Sequence, residues 1–171
     1  MSNTEEPGSL LLDILKEAIS IEIYGQEYYS IFADIVQEES ASALFRGLAI
    51  DEGEHREIIE KEYERTSGNK ADVDAMAEEY RKKARSIFPE PLQPMDITET
   101  KDVLELGIRT EERSIEFYSR GANRTDNKSV KKLFLKLTEI EKGHKSALED
   151  ALYYFEQDGS WYGYSPPTIE G

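Results

Sequence analysis

The sequence predicts an all-α protein, a bundle of four long helices arranged as two hairpins with a long crossover between them. Three observations carry this. Apolar residues recur at steps of three and four through four long stretches, the period of a helix buried along one face. The chain repeats itself at an offset of 89 residues, which relates the first two stretches to the last two. Between the copies, residues 67–96 break the pattern with Pro89, Pro91 and Pro94.

The first helix is expected over about residues 9–38, with a stripe of Leu15, Ala18, Ile19, Glu22, Gln26, Tyr29, Ala33 and Val36. The second is expected over about 40–65, with Ser40 as its N-cap and Ser67-Gly68 as its stop. Its stripe is Ala41, Leu44, Phe45, Leu48, Glu52, His55, Ile59 and Tyr63. The crossover, 67–96, carries a short amphipathic helix marked by Val73, Met76, Ala77, Tyr80 and Ala84, then the prolines. The third long helix, about 97–121, opens on a capping-box pattern, Asp96-x-x-Glu99, and Gly121 is read as its stop. It presents Leu104, Ile108, Glu111, Ile115, Tyr118 and Ala122. The fourth, about 127–157, turns Val130, Leu133, Phe134, Leu137, Glu141, His144, Leu148, Leu152 and Phe155 inward. The tail, 159–171, is read as non-helical, its Trp161, Tyr162 and Tyr164 packing on the bundle or on a second subunit. Short turns make each hairpin antiparallel, and a single long crossover after the second helix is the ferritin-like arrangement within one domain.

The repeat singles out a chemistry. It superposes Glu22, Glu52 and His55 on Glu111, Glu141 and His144, and the two histidines are the only ones in the chain. All four glutamates fall where packing calls for Leu or Ile. A buried carboxylate without a partner costs several kcal/mol at least, and facing carboxylates raise one another's pKa. No Lys or Arg shares the inward stripe. Two divalent cations would balance four carboxylates, and neutral imidazoles add donors without adding charge. In Glu52-x-x-His55 and Glu141-x-x-His144 the spacing of three puts both side chains on one helix face. One Glu from each of two helices plus Glu-x-x-His from each of the other two is the ligand set of two-metal carboxylate bundles. A lone stripe histidine would read as a hydrogen-bonded core residue; the duplicated constellation reads as a metal site. Tyr29 and Tyr118 lie seven residues after Glu22 and Glu111. Each is either a core aromatic with a satisfied hydroxyl or a hydroxyl that bonds a ligating carboxylate and moves a proton. Glu27 and Glu116 also repeat, but turn about 140° away and are placed on the surface.

Composition narrows the classes. A net charge of −15 argues against nucleic acid and against anionic membrane surfaces. The absence of Cys excludes disulfides, thiolate metal sites and thiol nucleophiles. No apolar run reaches membrane-spanning length, and the acidic start MSNTEEPGS is not a secretory signal, so a cytoplasmic protein is expected.

Ala18-Ile19-x-x-Glu22 followed by Tyr28-Tyr29, then Leu48-Ala49-x-Asp51-Glu52-x-x-His55, resembles the rubrerythrin-type branch of the ferritin-like family. Gly107-Ile108-x-x-Glu111, Phe117-Tyr118 and Glu141-x-x-His144 repeat the likeness, which spans about residues 9–157. The resemblance implies two iron ions bridged by Glu52 and Glu141, with Glu22 and His55 at one end and Glu111 and His144 at the other. It implies a centre that reduces hydrogen peroxide or oxidises Fe²⁺ with O₂. Two departures stand out. Rubrerythrins proper carry a rubredoxin-like domain with four Cys, so here a separate electron-donor protein is implied. They also have a further Glu ligand three residues after the third-helix Glu, where this chain has Ser114. The leading expectation is therefore a di-iron oxidoreductase acting on peroxide or O₂, working as a homodimer. The alternatives are an iron-storage protein and a non-catalytic scaffold holding zinc or no metal. The N and O donors accept manganese or a mixed pair as well as iron.

Overall fold

A computed structural model describes residues 7–85 and 97–158. They form five helices: α1 (Pro7–Ile35), α2 (Glu39–Ser67), α3 (Val73–Arg85), α4 (Ile97–Arg124) and α5 (Lys128–Asp158). There is no strand of a sheet among the described residues, and none of their helices is long and apolar enough to cross a membrane. The chain is an all-α ferritin-like bundle. α1 packs along α2, α4 along α5, and α3 lies against α1.

The stripes do the packing. On α2 the buried residues include Ala41, Leu44, Phe45, Leu48, Ile59 and Tyr63, the apolar positions at three- and four-residue spacing. The core has two parts. One gathers Tyr28, Tyr29, Phe32, Phe45, Leu48, Leu104, Leu148 and Phe155; the other gathers Leu15, Ile19, Ile23, Ile59, Tyr118, Phe134 and Leu137. Along α2 and α5, the polar residues Glu52, His55, Glu141 and His144 lie between the segments that feed these two cores. Met76, Ala77 and Tyr80 of α3 close over the second cluster, and Arg81 reaches Glu27 on α1 at 3.8 Å. Glu27 is therefore half-buried under α3, whereas its counterpart Glu116 is exposed.

Helix ends differ from the sequence reading in instructive ways. Ser40 is not the cap of α2. Glu38 holds that position without a side-chain cap bond, and the hydroxyl that anchors the turn is Ser42, donating to the Ala33 carbonyl at 2.7 Å. Gly68 does end α2, at φ 75, with its N–H donating to the Glu64 carbonyl at 2.8 Å; only glycine takes that φ freely. Asn127 caps α5 by accepting from the N–H groups of Ser129 and Val130, each at 3.1 Å. The capping box at Asp96, the three prolines and the aromatic tail lie outside the described residues.

Gly121 does not stop α4, which continues to Arg124. Its role is close approach: a Cβ there would sit 2.7 Å from the Phe134 ring. Gly121→Ala sets two effects against each other. Helix propensity favours Ala by about 1 kcal/mol, but overpacking a full core costs about 1–3 kcal/mol. Because Phe134 is fully buried and cannot swing away, the clash wins. Urea unfolding of the variant is expected to show a net loss, and a gain would mean that α4 and α5 part easily.

Candidate metal centre

Six side chains meet between the two cores. Glu22 comes from α1, Glu52 and His55 from α2, Glu111 from α4, Glu141 and His144 from α5; all are buried. One oxygen or nitrogen from each of Glu22, Glu52, His55 and Glu141 lies within 4.8 Å of the others. The same holds for Glu52, Glu111, Glu141 and His144. Both groups have the donors to hold a metal ion, and they share Glu52 and Glu141. The six sequence-predicted residues are thus all brought together.

His55 Nδ1 stands 3.5 Å from Glu22, 3.5 Å from Glu52 and 3.2 Å from Glu141. His144 Nδ1 lies 3.0 Å from Glu141, and the two imidazoles stack with centroids 5.5 Å apart. Several atoms nevertheless lack a hydrogen-bond partner while fully buried: Glu22 Oε2, Glu111 Oε2, Glu141 Oε1 and His55 Nδ1. Proximity without alignment is the mark of donors converging on a common point rather than on each other.

The electrostatics agree. Burial pushes the Glu52 carboxyl well above its ordinary range, and the charges of Glu141 and Glu22 push it further. Glu111 is raised by burial and by Glu141. Burial lowers the two imidazoles, but their carboxylate partners outweigh it. The close carboxylates of Glu141 and Glu22 lift His55 to about 10, and Asp51 and Glu141 hold His144 well above its usual value. Burial would raise Glu141 too, yet both histidines outweigh it and hold this carboxyl well below the ordinary range. Without metal, the cluster retains protons that cations would displace.

Tyr29 and Tyr118 are both fully buried, and each hydroxyl donates to a carboxylate of the cluster. The pairing is crossed: Tyr29 of α1 bonds Glu111 of α4, and Tyr118 of α4 bonds Glu22 of α1. Burial first, then the neighbouring carboxylates, raises both phenols well above 10, so both stay protonated donors.

Sequence reasoning gave Asp51 no role. Its Oδ2 lies 3.1 Å from His144 Nε2, which orients that ring with Nδ1 toward the cluster. Adjacency to Glu52 was the available signal, but the repeat concealed it, because the position 89 residues later is Ile140. The two halves of the centre are therefore unequal around their imidazoles.

Duplicated helical hairpins enclosing a buried carboxylate–imidazole cluster define a ferritin-like bundle with a site suited to metal. The chain belongs to the rubrerythrin family, whose family model, Rubrerythrin, matches residues 13–152. A solved structure titled as a hypothetical protein from Pyrococcus furiosus is similar in fold, with a TM-score of 0.69 and 23% identity. That likeness covers 90% of this chain and 93% of the other. None of the curated proteins compared matches the chain.

Proposed function

We propose that this chain is a two-iron oxidoreductase that acts on hydrogen peroxide or O₂ with electrons from a separate donor protein. The observation that carries the reading is the pair of four-residue groups sharing Glu52 and Glu141. Four carboxylates and two neutral imidazoles match the charge of two divalent ions, and the partnerless buried oxygens of Glu22, Glu111 and Glu141 need such cations. Glu22 and His55 would hold one ion, Glu111 and His144 the other, with Glu52 and Glu141 common to both. When bound, the two ions supply one electron each for reduction of an O–O bond.

The chain's own residues do the rest. Tyr118 and Tyr29 fix the outer carboxylates, Glu22 and Glu111, by hydrogen bonds, and these buried hydroxyls carry protons at the edge of the cluster. Asp51 holds His144 in one tautomer. The two apolar clusters flank the site and lower the dielectric around it, which strengthens the charge interactions inside. The test is stopped-flow mixing of the Fe²⁺-loaded protein with H₂O₂, where a fast absorbance rise from ferric iron is expected. Oxidation no faster than that of free Fe²⁺ rejects the reading. Metal analysis of protein expressed with both iron and manganese decides between those ions.

Asp51 gives a narrower prediction. Asp51→Ala should weaken metal binding by about 10- to 100-fold, the usual effect of losing an imidazole's orienting partner. Competition against a chromogenic chelator measures it, and unchanged affinity would mean that His144 is held by packing alone.

A further inference from the structure

A cavity of about 210 Å³ opens beside Glu52, lined by Ile21, Tyr24 and Gly25 of α1, Thr110, Arg113 and Ser114 of α4, and Tyr80 of α3. The six lining residues of α1 and α4 are three repeat pairs. Ile21 corresponds to Thr110, Tyr24 to Arg113 and Gly25 to Ser114, each at the offset of 89. The cavity therefore sits between the two duplicated helices, on the same register that supplies Glu22 and Glu111. Glutamates, histidines and tyrosines of the centre are identical in both copies, yet all three wall pairs have diverged. One wall has become apolar and aromatic, the other polar.

Small residues make the space. At Gly25 an added Cβ would lie 3.2 Å from Glu52 Cδ, so a larger side chain would press on that carboxylate. On the opposite wall Ser114 is buried, and its hydroxyl donates to the Thr110 carbonyl at 3.3 Å, which leaves its lone pairs free to accept. Arg113 is exposed and has no carboxylate partner among the described residues. The volume is several times the roughly 30 Å³ share of a water molecule and exceeds the ~150 Å³ at which an apolar cavity takes up benzene. Hydrogen peroxide would leave most of it empty.

We propose that this cavity binds the carbon body of an organic hydroperoxide, delivering its O–O–H end to the Glu52 side of the centre. The substrate class rests on the oxidoreductase reading above, whereas occupation of the cavity does not. Ile21, Tyr24 and Tyr80 take the apolar body, Ser114 and Thr110 accept from the hydroperoxyl O–H, and Arg113 stands at the solvent side. The overall change is ROOH plus two protons and two electrons to ROH and water. The O–O bond breaks, and the electrons come from the reduced metal pair, which the separate one-electron donor protein restores.

The experiment has two arms. In the first, metal-free protein is titrated with 2-phenylpropan-2-ol, the unreactive alcohol of cumene hydroperoxide, and amide NMR shifts are followed. Saturable shifts centred on residues 21–25, 52, 80 and 110–114 are expected, with at least tenfold weaker binding in Ser114→Leu, which fills the space. Thr110→Leu, at a half-buried position, replaces it if Ser114→Leu fails to fold. No saturable shift at those residues, or equal binding by the filled variant, overturns the proposal. In the second arm, iron-loaded proteins of verified metal content meet cumene hydroperoxide and H₂O₂. The filled variant should lose at least tenfold of the rate ratio favouring cumene hydroperoxide. An unchanged ratio, or wild type reacting with H₂O₂ alone, overturns the substrate class. If neither peroxide reacts while the alcohol still binds, the oxidoreductase reading has failed and the cavity assignment stands.

Discussion

Metal-free protein loses stability as pH rises from about 6 to about 9, and metal loading abolishes or reverses that loss. The sign follows from the cluster. His55 is raised to about 10, and His144, Glu52 and Glu111 are raised as well, so the folded chain holds more protons than the unfolded one through this range. Stability then falls with pH. The imidazole contribution is complete below their unfolded pKa of about 6.5 and lost as pH passes their folded values. Glu141, held low, acts oppositely, but its contribution is lost only in acid. His55 alone accounts for on the order of 3 kcal/mol between pH 6.5 and 9, which corresponds to roughly 10 °C in melting temperature for a chain of this size. Bound metal displaces the same protons, so its affinity climbs with pH and offsets the loss. Melting curves of chelated and reloaded protein at several pH values measure both. Parallel profiles would show that metal does not engage these groups.

The second large effect separates the shared carboxylates from the outer ones. Glu141 contributes to both four-residue groups, Glu22 to one. Glu141→Ala should therefore abolish binding of both ions, whereas Glu22→Ala leaves close to one ion per chain. Without metal, Glu141→Ala also strands the positive charge on His55 and His144, both within 3.2 Å of that carboxylate. Breaking a buried pair in this way costs about 3–5 kcal/mol, so this variant should also unfold earlier at neutral pH. Equilibrium dialysis and urea unfolding give the two readouts. Equal metal content in the two variants would refute the sharing.

The long helices were legible because an amphipathic stripe is a direct trace of burial, and the stripes placed Leu15, Phe45, Leu104 and Phe134 inside, where they are. Four glutamates on those stripes, in two copies, singled out the cluster for the same reason: nothing in helix packing asks for them. Gly121 misled because glycine signals both a helix end and a close approach, and the facing ring of Phe134 decides which. Ser40 misled because a cap depends on the φ and ψ of one residue, and the chain turned two residues earlier. Asp51 stayed hidden because Ile140 breaks the repeat that served as the filter.

Spacing along a helix is a local property, set by 1.5 Å of rise and 100° of turn per residue. By itself the sequence could therefore settle which residues share a face: Glu52 with His55, Glu141 with His144, Glu22 with Tyr29. Distances between helices depend on how every side chain of both cores packs, and no local rule carries that information. Only the tertiary structure decided that Tyr29 serves Glu111 and Tyr118 serves Glu22, that Asp51 reaches His144, and that three small or diverged pairs leave a cavity beside Glu52.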